Sequence, residues 1–92
     1  MRFVKRHGLP DFAAHERISG YEVDFANHAL KLAIELDGWV FHGDREAFER
    51  DRQRDLVLAA AGWLVVRVTW RRLHDEPAAL ATSLRKVIAG RT

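Results

Sequence analysis

Apolar and polar residues alternate most regularly between Leu30 and Asp37. Leu30, Leu32, Ile34 and Leu36 fall on one side of an extended chain, and Lys31, Ala33, Glu35 and Asp37 on the other. The spacing predicts a strand over Leu30 to Leu36 whose leucine side packs against a helix. Upstream, Gly8-Leu9-Pro10-Asp11 is a turn signal. Phe12 to Ile18 forms a first strand, Ser19-Gly20 a tight turn, Tyr21 to Ala26 a second strand, and Asn27-His28 the next turn. Downstream, Gly38 ends the strand and Trp39 to Gly43 form a loop. Asp44 then caps a helix reaching about Ala61, with Glu46 favourable in its first turn and Gly62 closing it. Phe48, Leu56 and Ala59 mark the apolar stripe of that helix. Trp63 to Trp70, rich in valine, reads as a fourth strand. A last helix starts at His74-Asp75-Glu76-Pro77, with Leu80, Leu84, Val87 and Ile88 as its apolar stripe. Three strands, a helix, a strand and a helix give a mixed α/β sheet covered by helices.

Composition narrows the class. The chain has 92 residues, which is one small domain spanning residues 1–92. Without cysteine it has neither a disulfide framework nor a thiolate metal site. No apolar run approaches the roughly 20 residues of a membrane helix, and no signal-peptide pattern follows the basic start Met1-Arg2-Phe3-Val4-Lys5-Arg6. A cytoplasmic protein with no membrane partner is the expectation. The formal charge is only +2, but several acids are concentrated in one segment, so the remaining surface is arginine-rich. That favours an anionic partner such as nucleic acid.

The segment in question is Val23-Asp24-Phe25, then Leu32 to Gly38, then His42. Apolar strands exclude unpaired carboxylates because their burial is costly, so Asp24, Glu35 and Asp37 suggest a site. An even-numbered hairpin loop centred between His28 and Ala29 would pair Asp24 with Ala33. Asp24 and Glu35 would then be diagonal neighbours on one face, roughly 7–8 Å apart. An odd-numbered loop would put them on opposite faces. Carboxylates with water and a backbone carbonyl suit magnesium or manganese. Such a metal polarises phosphoryl oxygens and acidifies bound water, and His42 has the chemistry for proton transfer near neutral pH. The bland alternative is a strand acid that faces solvent or pairs with Arg17, Lys31 or Arg67.

Tyr21-Glu22-Val23-Asp24-Phe25, Leu32-Ala33-Ile34-Glu35-Leu36-Asp37-Gly38 with His42, Phe48 to Asp55, Ala61-Gly62-Trp63 and Val66 to Trp70 resemble the DUF559 family. That family is related to the very short patch repair endonuclease of the PD-(D/E)XK nuclease superfamily. The resemblance runs from about Gly8 to Ala89. It implies a restriction-endonuclease-like fold of βββαβα order and magnesium-dependent (or manganese-dependent) cleavage of DNA. It implies Asp24 and Glu35 as metal-binding acids with the Leu36 carbonyl as a further ligand. Asp37 stands where many members carry a lysine, and His42 matches a histidine of the repair endonuclease. His42 therefore takes the proton-transfer role. Asp37 would orient His42, bind the metal through water or hold a second ion. Relatives begin with a helix carrying another site glutamate; here only Arg2 to His7 precede the first turn. The expectation is an absent or truncated N-terminal helix, in a fragment or a shortened member, with a homodimer as one way to replace it.

Further residues carry two readings each. Arg45, Arg50, Arg52 and Arg54 contact phosphate or form a solvated helix face with Glu49, Asp51 and Asp55. Arg71 and Arg72, with no acid beside them until Asp75, are the better candidates for backbone contact. Arg67, inside a valine-rich strand, needs an acid partner, for which Glu35 or Asp24 would serve; that pairing is structural or places a DNA-contacting cation beside the scissile phosphate. Trp39 and Phe41 stack on bases or close a core edge. His7, His15, His28 and His74 show no ligand spacing and read as surface or turn residues. The function expected is a metal-dependent DNA endonuclease or nickase. The alternative is a catalytically impaired DNA-binding or dimerisation module that retains the nuclease fold. A phosphoesterase of small nucleotides is a third reading.

Overall fold

A computed structural model describes residues 2–38 and 44–92. Helix α1 (Arg2–Arg6) is followed by strands β1 (Ala13–Ile18), β2 (Tyr21–Asn27) and β3 (Leu32–Asp37). Helix α2 (Arg45–Ala60), strand β4 (Leu64–Thr69) and helices α3 (Trp70–Asp75) and α4 (Pro77–Arg91) complete the chain. The strands form one sheet in the order β1-β2-β3-β4. β1, β2 and β3 are antiparallel in sequence, and β4 lies parallel to β3 after the α2 crossover. The mixed sheet flanked by helices is the expected fold class. Two short helices, α1 and α3, are additions to the expected order, and α1 has only five residues. No helix among the described residues is long and apolar enough to cross a membrane.

Local chemistry sets each boundary. Ile18 pairs with Tyr21, so Ser19-Gly20 is a two-residue hairpin loop. Both residues have positive φ, +52 and +86, as a primed turn requires. Asn27 pairs with Leu32, leaving the four-residue loop 28–31. Within it the Asn27 Oδ1 accepts the Leu30 amide at 2.9 Å, and Lys31 takes φ +49. Leu30 and Lys31 are thereby drawn out of the ladder, and β3 begins at Leu32 rather than at the expected Leu30. The loop is even-numbered, as one of the two readings required, but the register differs by two residues. Ala33 faces Ala26, not Asp24.

β3 is covered on both faces. Leu32 and Ile34 join Val4, Leu9, Phe12, Val68, Leu80 and Leu84 in a cluster beneath α1 and α4, with Leu30 and Leu36 at its margin. Ala33 points the other way, into a cluster with Ile18, Val23, Ala26, Leu58 and Trp63. Leu58 brings α2 to that face. The expected stripe of α2 is corrected here: Phe48 and Leu56 are exposed, and Leu58 is the buried residue. Three apolar residues spaced along a charged helix did not define its inward side, because Phe48 and Leu56 are as apolar as Leu58 and only packing against the sheet separates them.

Both ends of α2 are capped as the sequence suggested. The Asp44 Oδ1 accepts the Ala47 amide at 2.8 Å. Gly62, at φ +86, reverses the chain. The Gly62 amide then donates to the Ala59 carbonyl and the Trp63 amide to the Leu58 carbonyl, with Trp63 packing in the Leu58 cluster, which is a Schellman closure with its apolar contact. Arg91 of α4 ties this turn to the 28–31 loop, donating to the carbonyls of Leu30, Lys31 and Gly62. At the end of β4 the Thr69 hydroxyl accepts the Arg72 amide at 3.1 Å. That cap starts α3 at Trp70, so β4 ends one residue before the expected end of the strand.

Candidate functional site

The β2–β3 ladder ends at Phe25 opposite Ile34. Beyond that pair β3 keeps its partner β4, through Glu35 opposite Arg67, Leu36 opposite Val68 and Asp37 opposite Thr69. β2 instead pairs with β1, and the β1–β2 pairs skip His15 and Asp24, where His15 has φ +54. The two central strands therefore part just where the acids lie. Continuing the register by one pair puts Asp24 opposite Glu35, closer than the diagonal placement expected. Across the gap the Asp24 Oδ2 accepts the Leu36 amide at 2.8 Å. A side chain thus takes over from the backbone ladder, which fixes the Asp24 carboxylate against the neighbouring strand.

Glu35 shares the α2 face with Ala33, and α2 supplies its partner: the Arg54 guanidinium donates to the Glu35 Oε1. Both side chains are largely shielded, at 13% and 17% exposure. Burial pushes the Glu35 carboxyl above the usual glutamate range. Arg54 opposes that shift by charge and hydrogen bond, the nearby Asp24 charge adds to it, and Arg67 opposes it weakly. The Arg54 Nε is buried with no hydrogen-bond partner among the described residues. Arg54 was read only as one of several helix arginines. It lies four residues before the buried Leu58, on the inward side of α2, but the burial of Leu58 is set by the sheet, so the sequence carries no local signal for it.

The other expected site residues divide sharply. Among the described residues, no three His, Asp or Glu side chains form a group able to hold a metal ion, so Asp37 does not join Asp24 and Glu35 in one cluster. Asp37 is half-buried at the end of β3. His42, Trp39 and Phe41 lie outside the described residues. Arg67 does not bond to Glu35 or Asp24; its partner is Asp55 at 3.1 Å, which also binds Arg52 at 3.1 Å. Arg54 already occupies Glu35, so Arg67 turns to the adjacent acid of α2. The Arg52–Asp55 pair is the helix-face contact that reading anticipated; Arg52 also lies 5.0 Å above the Phe48 ring. Arg71 is not free of acids, since Glu76 binds it at 2.6 Å. Arg45 is exposed at the start of α2, and Arg72 is half-buried on α3. His15, His28 and His74 are exposed and sit beside Glu22, Glu16 and Asp75. His7 departs from the surface reading: its Nε2 is buried and its ring packs on Phe3.

The donor set tests the expected cation. Two carboxylates and a carbonyl are hard oxygens of the kind magnesium uses while keeping several waters and adding substrate phosphate. The guanidinium on Glu35 shows that this position accommodates positive charge. The donor types fit such an ion, which Asp24 and Glu35 would hold.

A sheet that opens over paired acids, with a helix arginine beneath, defines a restriction-endonuclease-like domain. The chain belongs to the family REase_MTES_1575, whose model matches residues 1–88. Its fold is similar to that of the homing endonuclease I-Bth0305I catalytic domain, with a TM-score of 0.76 and 19% sequence identity over 98% of this chain and 89% of that one. No curated protein matches the chain.

Proposed function

We propose that the protein is a metal-dependent DNA endonuclease or nickase, of the kind the very short patch repair endonuclease represents. The observation that carries this reading is the Asp24 carboxylate held on the Leu36 amide, just past the last β2–β3 pair and near enough for its charge to act on Glu35. The nuclease family and the likeness of the fold support it. DNA is then the substrate, and Asp24, Glu35 and the Leu36 carbonyl hold magnesium or manganese.

A divalent cation bound there supplies polarisation of the scissile phosphate and a more acidic water. The chain's own residues do the rest. The Leu36 amide holds one Asp24 oxygen, which fixes the carboxylate. Burial pushes the Glu35 carboxyl above the usual glutamate range, Arg54 opposes that shift by charge and hydrogen bond, and the Asp24 charge adds to it. In this reading Arg54 exchanges Glu35 for a phosphate oxygen on binding, since a guanidinium takes either anion in the same forked geometry. His42 takes the proton-transfer role, and Asp37 orients it.

Plasmid nicking with added magnesium tests the reading. Asp24→Ala and Glu35→Ala should each abolish cleavage; cleavage at the parent's rate by either variant overturns the assignment. The Arg54–Glu35 ion pair also favours a second reading, a binding module in which the arginine permanently replaces the cation. Calorimetry with manganese separates the two. Heat that Glu35→Ala removes supports the enzyme, and no heat from the parent supports the silent module.

A further inference from the structure

Trp70 is the exception among the described tryptophans. Trp63 is buried, with its ring edge-on to His28 at 5.2 Å. Trp70 remains 57% exposed. It lines a surface cavity of about 760 Å³ together with Thr69, Arg71, Arg72, His74 and Asp75. A second cavity, of about 480 Å³, shares His74 and carries Arg2 and Arg6. Across the two cavities four arginines face one carboxylate, Asp75, which is engaged with His74 at 3.1 Å. Arg71 is held by Glu76, but both side chains are exposed, at 63% and 43%, and such a pair contributes little against a competing anion. Arg72 has no acidic partner among the described residues.

The position matters as much as the composition. Trp70 follows Thr69, the residue opposite Asp37. Strand spacings put it on the order of 10 Å from Glu35 along the sheet. A large π-face beside exposed guanidinium groups is how proteins hold unpaired bases while tracking the phosphate backbone. A cavity of this size also suits one nucleotide.

We infer that the Trp70 cavity is a base-stacking site, in which the indole takes an unstacked nucleobase of the DNA while Arg71, Arg72, Arg2 and Arg6 guide the flanking phosphates. The inference rests on the nuclease reading and adds to it: the substrate is engaged where a strand is unpaired or locally opened.

Anisotropy titration of the full chain in EDTA, with fluorescein-labelled single-stranded and duplex oligonucleotides of one sequence, tests it. Trp70→Ala should weaken single-strand binding roughly 5- to 150-fold, leave the salt dependence unchanged and leave the melting temperature near the parent's. Trp70→Phe should restore most of the affinity. Arg6→Gln should lower the slope of log affinity against log salt by about 0.7, one phosphate contact on a single strand. Single-strand affinity unchanged in Trp70→Ala overturns the stacking site and leaves the nuclease reading intact. A parent dimer, seen by sedimentation and dissolved by Trp70→Ala, overturns it in favour of a second copy as occupant. A parent that binds no DNA of either form, in EDTA or with added calcium, overturns the nuclease reading itself.

Discussion

Asp24 does two things at once, and they can be separated. Its carboxylate satisfies the Leu36 amide, and the same group is the proposed ligand. Asp24→Ala removes the acceptor and leaves a half-buried donor unpaired, which should lower stability by about 1–3 kcal/mol. Asp24→Asn retains an acceptor oxygen and should fold near the parent's stability while losing cleavage. Urea denaturation beside a nicking assay resolves the two effects. Glu35 makes a pH prediction of definite sign. Its folded pKa is raised, so the folded state holds its proton more tightly than the unfolded chain. Its contribution to stability is fully present below the ordinary glutamate range and is lost as pH rises through the folded value. Arg54→Met removes the main opposing charge and should push that window to still higher pH. NMR titration of the Glu35 carboxyl, beside denaturation midpoints from mild acid to neutrality, measures both.

At the scale of elements, α2 and its exit turn are the pieces on which the site depends. α2 meets the sheet through Leu58, which is fully buried, and it carries Arg54 to Glu35. Leu58→Ala should cost about 2–5 kcal/mol and loosen the Arg54 contact with it. Gly62→Ala forces a side chain into φ +86, and the added Cβ would lie 3.4 Å from the Lys31 Nζ. The strained backbone costs about 1–2 kcal/mol, readable as a lower melting temperature. These elements also show what the sequence could carry. Caps and turns were legible because their residues act locally: Asp44, Gly62, Ser19-Gly20 and Pro77 each set a boundary through their own backbone or a bond three residues away. The alternation in β3 was legible for the same reason. The inward side of α2 was not, because Phe48 and Leu56 are as apolar as Leu58 and only the sheet decides between them. α3 was missed because Trp70 suits the end of a valine-rich strand, while the Thr69 cap that starts a helix there shows only in the bond it makes. The pairing of Arg54 with Glu35 joins two elements, so no local pattern announces it.

For the molecule as a whole, the sheet is a divided structure. Its middle is sealed on both faces around Leu32, Ala33 and Ile34, while its end opens between β2 and β3. The proposed site lies at the open end, away from the packed core, so substitutions there should disturb cleavage more than folding. DNA binding by an arginine-rich surface should in turn weaken steeply with salt, a dependence that anisotropy at several ionic strengths would record. The opening has a consequence for amide hydrogen exchange. Amides in the middle of β3 should exchange only through global unfolding, and those at exposed chain ends through local fraying. The Leu36 amide belongs to neither group, because its protection depends on one carboxylate. Its exchange rate therefore reports where Asp24 is pointing, and it would register a ligand drawing that carboxylate away before any bond is cut.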